Sequence, residues 1–309
     1  TTMDALNISY GIRFDDYEFE TGLGKATDST FSPNVGIEYA FSQDSLVYAN
    51  YAKSSRMSGI IPFTWLTNIK KDAVYSSNLE AEKSVKYEIG YNYIRKNTFF
   101  KEDSMSFDVN VFQTIIKDLI VSKDVNCGTG VCGSGEGGRT LQDIYNRSED
   151  FKSKGFELKL SYLYDIFLSS FSYTQIKTNA TNSDTNGVAN INEDQNIRRV
   201  GGYDSKKFIW NTEVEFSNTL TVDYSLNAVA GTKVLDSNNQ AINRSGYTTH
   251  DISSKYKPSR NSSWTFYAAI HNLTNKQYAN ATTISTKNQA DVYRYEMGRD
   301  FRFSLKYEF

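Results

Sequence analysis

FRFSLKYEF, residues 301–309, sets Phe301, Phe303, Leu305, Tyr307 and Phe309 on one side of an extended strand, and Arg302, Ser304, Lys306 and Glu308 on the other. A soluble sheet can carry that alternation, but its terminal residues are usually polar and frayed. Here the apolar face runs to the last residue.

The same period of two recurs upstream, and helical i, i+3, i+4 stripes are scarce. Leu6, Ile8, Tyr10, Ile12 and Phe14 alternate with Asn7, Ser9, Gly11 and Arg13. Val35, Ile37, Tyr39 and Phe41 repeat it before the polar turn SQDS at 42–45. Val85 to Tyr93, Phe107 to Val111, Phe156 to Tyr162, Phe167 to Tyr173, Phe208 to Phe216, Leu220 to Ala228 and Trp264 to Ile270 follow. Roughly twelve such segments of about ten residues each suit tilted crossings of a bilayer. The connections alternate between tight (42–45, 163–166, 217–219, 258–262) and long (15–31, 53–83, 122–150, 178–205, 231–246, 273–297). Short periplasmic turns opposite long extracellular loops are a property of outer-membrane barrels, and a soluble sandwich has no reason to keep every second loop short. The expected fold is an all-β, antiparallel transmembrane β-barrel.

Composition agrees. There are 22 Tyr and 19 Phe, which interfacial girdles would use, and only 3 Pro, which suits long ladders. A mean hydropathy of −0.53 is compatible with a barrel, because only alternate residues meet lipid. The 34 basic and 36 acidic residues are interleaved, so no basic patch points to nucleic acid. The opening TTMDALNISYG lacks a charged segment followed by an apolar one, so it is not read as a signal peptide, and the chain is read as mature or a fragment.

Several segments resemble TonB-dependent outer-membrane receptors. SPNVGIEYAFSQDSLVYANYAKSSRMSG (32–59) is similar to the hairpin running into the family's FRAP-type motif, with Arg56 at its Arg and Ser55, Met57 and Ser58 in place of Phe, Ala and Pro. SSNLEAEKSVKYEIGYNY (76–93) resembles NPNLKPEKS-x-x-YELG-x-x-Y, with Ser77 and Ala81 replacing both prolines. KSKGFELKLSY (152–162), IHNLTNKQYANA (270–281) and GRDFRFSLKYEF (298–309) resemble later family strands, in family order. The resemblance implies that residues 1–309 form one domain, the C-terminal portion of a receptor barrel: about twelve of twenty-two strands, without the N-terminal plug. It implies active import of an iron complex, ferric siderophore or haem, across a Gram-negative outer membrane, energised by the TonB complex through the plug. It also implies that Phe309 and Tyr307 serve as the signal read by the barrel-assembly machinery. The alternative is a complete twelve-stranded barrel acting as translocator, adhesin or passive porin. No catalytic residues, resident metal or covalently bound cofactor are expected. A barrel enzyme would need a Ser and a His together on the lipid-facing wall, and the chain has two His.

Individual motifs read two ways. Cys127 and Cys132, the only cysteines, lie in NCGTGVCGSGEGG (126–138), where a loop disulfide fits an oxidising compartment. Asn182, Asp184, Asn186, Gly187 and Glu193 have the spacing of a calcium loop, but Asn stands where Asp is normal and no helices flank it, so a solvated loop is expected rather than calcium. Arg198 and Arg199, with Tyr203, suit an anionic planar chelate, or form an ordinary solvated pair. His250 resembles a segment of haem-receptor members, yet it shares a face with Ile252 and Tyr256 that should meet lipid; His271 has lumen parity. Haem receptors often carry a His between the two motifs at 56–79, and none is present here; Tyr75 is the alternative axial ligand. Arg56 is either a ligand contact or a framework partner of Glu82 on the lumen wall.

Overall fold

The computed structural model describes residues 5–21, 24–57, 79–126, 140–179, 204–235, 241–280 and 295–309. Among them, twelve strands form one antiparallel sheet in the order β1 (Ala5–Thr21), β2 (Gly24–Ala40), β3 (Ser45–Arg56), β4 (Glu82–Lys96), β5 (Ser104–Lys117), β8 (Phe151–Tyr164), β9 (Phe167–Thr178), β10 (Ser205–Ser217), β11 (Leu220–Val229), β14 (Tyr247–Tyr256), β15 (Trp264–His271) and β16 (Asp300–Tyr307). Two hairpins stand outside it: β6 (Ile120–Asn126) with β7 (Thr140–Asn146), and β12 (Thr232–Leu235) with β13 (Ala241–Arg244). β1 and β16 are the outermost strands of the sheet.

Register turns twelve separate alternations into two continuous faces, because directly paired residues project from the same side. Phe303 pairs with Ala268, Ile270 with Ile252, and Ile252 with Tyr224. The same side continues through Trp210, Phe171, Leu160, Phe107, Tyr93 and Ser45, and ends on Ile37 and Ile8 further along the hairpins. This face is apolar and uncovered: Tyr10 is 86 % and Phe303 82 % exposed. An apolar surface of this extent, built from every strand, requires lipid.

β1 shows where the lipid stops. Leu6, Ile8, Tyr10, Ile12 and Phe14 point outward, and the next outward positions are Asp16 and Glu18. Nine residues at about 3.4 Å each, tilted by about 40°, rise roughly 23 Å, the height of the apolar band of such barrels. The hairpin nevertheless continues in register to Thr21↔Gly24. The long connection expected at 15–31 is therefore mostly strand. Above the membrane both faces are wet, so pairing persists while the apolar alternation that would reveal it disappears. For the same reason the long connections at 122–150 and 231–246 contain the β6–β7 and β12–β13 hairpins.

Polar groups on the outward face satisfy one another, as a low-dielectric surround requires. Ser169, 4 % exposed, accepts a hydrogen bond from Trp210 Nε1 at 2.9 Å and lies 3.0 Å from Thr212 Oγ1. Aromatic rings gather toward the short-turn end, as Phe41 on Tyr91, Phe100 on Tyr164 and Trp264 on Tyr307. This is the girdle position.

The short turns are built by polar side chains. Asp165 takes a left-handed φ of 50° in the two-residue turn closed by Tyr164↔Phe167, a conformation Asp tolerates. In the turn before β5, Asp103 is 1 % exposed and its carboxylate accepts the N–H groups of Thr98, Phe99 and Phe100 and the hydroxyl of Tyr162. Burial pushes its pKa up, but the Phe99, Phe100 and Thr98 N–H groups and the Tyr162 hydroxyl together outweigh burial, and the net shift is downward. A lowered carboxylate pKa stabilises the folded turn at pH above about 3.9, the ordinary Asp value, and that stabilisation is lost as pH falls through the folded value. Asp103→Asn is expected to lower the hydrogen-exchange protection of Thr98, Phe99 and Phe100 at neutral pH and to remove the acid-induced loss of protection expected of the wild type. Unchanged exchange at neutral pH would contradict this.

Candidate functional site

Two features of the polar side of the sheet can carry function: the lumen wall and the outer rim above it. The wall is made by the residues that alternate with the apolar set, and it is a hydrogen-bonded surface. Tyr48 donates to Glu88 Oε1 at 3.1 Å, Asn92 Nδ2 to Asp108 Oδ1 at 2.5 Å, and Asn110 Nδ2 to Glu157 Oε2 at 3.3 Å. Lys86 is ion-paired with Glu88. Gly90 makes room for this wall: a Cβ there would fall 2.3 Å from Cζ of the Tyr48 ring, which lies across it. On the other half, Glu213 stands directly opposite Asp223, and Ser253 Oγ donates to Asp223 Oδ2 at 3.1 Å. His271 Nδ1 sits 3.4 Å from Asp251 Oδ2, and Arg302 Nε donates to Asp300. Glu213, Asp223, Ser253, Lys255, His271 and Arg302 are among the residues lining a groove of about 510 Å³. A wall of alternating charge in water suits passage or docking of a polar partner, not a stable dry core. Among the described residues no cluster of three or more His, Cys, Asp or Glu could hold a metal ion.

The rim above β3, β4 and β5 is the one place where the described chain builds a packed apolar core. Leu119, Val121 and Phe151 are buried, with Ile116 and Tyr145 packed against them. Ile120, Ile144, Leu79 and Ala81 are also buried. Polar groups lock this core to the wall. Glu82, 7 % exposed, takes Arg56 through two guanidinium contacts and accepts the backbone N–H of Ile120 at 2.9 Å. Asn146 accepts from Glu80 N and donates to the carbonyls of Glu80 and Asp118. Asp28, on the extended β1–β2 hairpin, accepts from Tyr17 and from Ala81 N. Asp118, at φ 55°, turns the chain out of β5 into β6. The base of the β6–β7 hairpin is thus fastened to the lumen-side carboxylate of β4.

The sequence-derived candidates fall into three groups. Arg56 is joined to Glu82, the framework alternative. His250 lies on the outward face beside Leu226, with its Nδ1 2.7 Å from the Tyr224 hydroxyl, as its parity required, and His271 faces the lumen. Phe309 is fully exposed and edge-on to Tyr307, which packs on Trp264. Tyr75, Cys127, Cys132, Arg198, Arg199, Tyr203 and the calcium-like stretch at 182–193 lie outside the described residues. Asn146, Asp28 and Asp103 were not anticipated. Each is a polar residue in a polar stretch, and its importance comes from backbone groups that only the fold brings near.

A membrane-facing apolar exterior, a charged lumen wall and loop hairpins anchored at the outer rim define an outer-membrane β-barrel. The profile described as "TonB dependent receptor-like, beta-barrel" matches residues 1–273, and the chain belongs to that family, whose barrels sit in the outer membrane of Gram-negative bacteria. Solved structures agree on the fold. The FrpB iron transporter from Neisseria meningitidis superposes with a TM-score of 0.74 at 16 % identity, over 99 % of this chain and 44 % of its own. The ferric-catecholate import receptor Fiu from E. coli K12 gives 0.68 at 16 % identity, over 100 % of this chain and 43 % of its own. The copper transporter OprC gives 0.67 at 14 % identity, over 92 % and 40 %. The chain spans less than half the length of each of these structures. No curated protein matches the sequence.

Proposed function

We propose that this chain is the C-terminal part of the barrel of a receptor that imports an iron complex, a ferric siderophore or haem, with TonB acting through an N-terminal plug. The observation that carries this reading is the combination of a charged, water-facing lumen wall with a loop hairpin fastened to it at the outer rim by Glu82 and Asn146. A hairpin fastened at the rim of a polar passage supports the import reading. Of the structures it resembles, one is described as an iron transporter, one as a ferric-catecholate import receptor and one as a copper transporter. Capture of a nanomolar ligand corresponds to about 12 kcal/mol, so release is slow unless work is supplied. No reaction on the cargo is part of this reading. Arg198, Arg199 and Tyr203 are the proposed chelate contacts, through charge and stacking, and Tyr75 is the proposed axial group if the cargo is haem. A Cys127–Cys132 disulfide would stiffen the loop carried by β6–β7. His250, on the outward face, is not part of this set.

The test is uptake of radioactive iron, supplied as siderophore complexes or as haem, by cells whose only such receptor is the full-length protein. Uptake that depends on TonB and falls in Arg198→Ala/Arg199→Ala is expected. Uptake that persists without TonB would refute energised import. Absence of a Soret shift on adding haemin to the purified receptor would exclude haem as cargo.

Assembly is proposed to depend on the exposed C-terminal aromatic pair. Deleting Phe309 is expected to lower the amount of receptor in the outer membrane several-fold, while the ligand affinity of assembled receptor stays unchanged. Wild-type membrane levels after the deletion would argue against a signal role.

A further inference from the structure

Tyr247, the first residue of β14, has the lumen parity of Thr249 and Asp251, and Tyr278 from the β15–β16 connection stacks on it with ring centroids 4.2 Å apart. The connection therefore meets the base of the β12–β13 hairpin at the outer mouth, on the lumen side of β14. Between them lies a cavity of about 270 Å³, with Asn243, Arg244, Lys276, Gln277, Tyr278 and Tyr295 among its lining residues. Both walls are fixed. A Cβ on Gly246 would fall 2.7 Å from the Val229 carbonyl oxygen, so the stems of the hairpin cross in close contact. Asn272, 4 % exposed, accepts the Lys276 N–H at 2.8 Å and donates to the Lys276 carbonyl at 2.9 Å. The Glu296 N–H donates to the Tyr278 carbonyl at 2.9 Å. Walls set before binding reduce the ordering cost of a ligand.

The lining selects a class of ligand. Arg244 is 4 % exposed, Lys276 is exposed, and no acidic side chain is among the described lining residues. A guanidinium with so little solvent around it attracts an anion more strongly than one in open water. Glu296 and Asp251 stand nearby: burial first, then these two carboxylates, push the Tyr278 phenol above its ordinary value. Tyr278 thus stays a protonated donor, and an anion in the cavity meets a guanidinium, an ammonium, a phenol and the amides of Asn243 and Gln277. The rings of Tyr278 and Tyr295 suit a flat aromatic group. The volume lies below that of pockets for drug-sized ligands, so one ring fits and a haem macrocycle does not.

We propose that this cavity takes one catecholate arm of a ferric siderophore, its ring against Tyr278 and Tyr295 and its charged oxygens toward Arg244 and Lys276. The assignment rests on the import reading and narrows its cargo from siderophore or haem to an aryl siderophore. A ferric hydroxamate, neutral and without an aromatic ring, uses neither the cations nor the tyrosines.

The test is titration of the purified full-length receptor with ferric dihydroxybenzoate, read by quenching of intrinsic fluorescence, with ferric acetohydroxamate as the comparison probe. Expected results are binding of the catecholate complex in preference to the hydroxamate, and binding about tenfold weaker in Lys276→Gln/Tyr295→Ala. Wild-type affinity is expected in Lys276→Arg and in Thr274→Ala, an exposed position on the same connection that is not among the described lining residues. Heat-modifiable migration on gels confirms that each variant is folded. Full affinity in the double variant, or equal binding of the two complexes, would overturn the proposal and leave the import reading standing. Selective catecholate binding that the double variant loses, in a receptor without TonB-dependent uptake, would support the pocket and contradict the import reading instead.

Discussion

Replacing Glu82 by alanine is expected to destabilise the barrel by about 3–5 kcal/mol, the usual cost of stranding one partner of a buried ion pair. Three donors converge on this carboxylate: both contacts from Arg56 and the N–H of Ile120. Without it Arg56 loses both of these contacts and the N–H of Ile120, the first residue of β6, loses this acceptor. Two readouts should move together in Glu82→Ala. Urea unfolding in detergent should shift to lower denaturant, and the β6–β7 hairpin should become open to added protease under native conditions. Replacing both partners by apolar residues, Arg56→Met with Glu82→Leu, should recover much of the global stability, because no charge is left buried. The hairpin should stay protease-sensitive in that double variant, since the Glu82 contact to Ile120 N is still missing. A Glu82→Ala variant within about 1 kcal/mol of wild type would show that the pair is solvated and that the hairpin is held by packing alone.

The second large effect concerns the outward face. Ile89, 68 % exposed in mid-strand, pairs with Ala49 and Val111. If those residues meet acyl chains, Ile89→Arg should cost about 2–4 kcal/mol, the cost of a charge near the bilayer midplane. Ser161, on the opposite face between Ser106 and Ser170, is the control. Arginine there projects into water and should cost less than about 1 kcal/mol. Equal costs at the two positions would mean that both faces see the same solvent.

Much of the fold was legible in the sequence because the bilayer imposes a strict code. A slip of one residue would turn Leu6 to Phe14 or Phe301 to Tyr307 toward water, so the alternation had to be written into every spanning strand. Beyond the rim that pressure ends. The upper halves of β1 and β2, with Asp16, Glu18 and Asp28, read as loop although they pair to Thr21↔Gly24. The site was legible only in part. Arg56 and Glu82 stood out through their resemblance to family motifs, and their separation of 26 residues gave no local hint of contact. Asn146 and Asp103 act on backbone groups across long or irregular turns, and no spacing announces them.

The division into lipid and lumen faces can be read directly on β4. In a background with Cys127 and Cys132 replaced by serine, single cysteines from Ser84 to Tyr93 would carry a fluorophore in receptor reconstituted with nitroxide-labelled lipid. Strong lipid quenching is expected at 85, 87, 89, 91 and 93, and reaction with a membrane-impermeant thiol reagent at 84, 86, 88 and 92, with Gly90 left unchanged because Tyr48 lies across it. Uniform quenching along the strand, or the opposite phase, would contradict the membrane barrel.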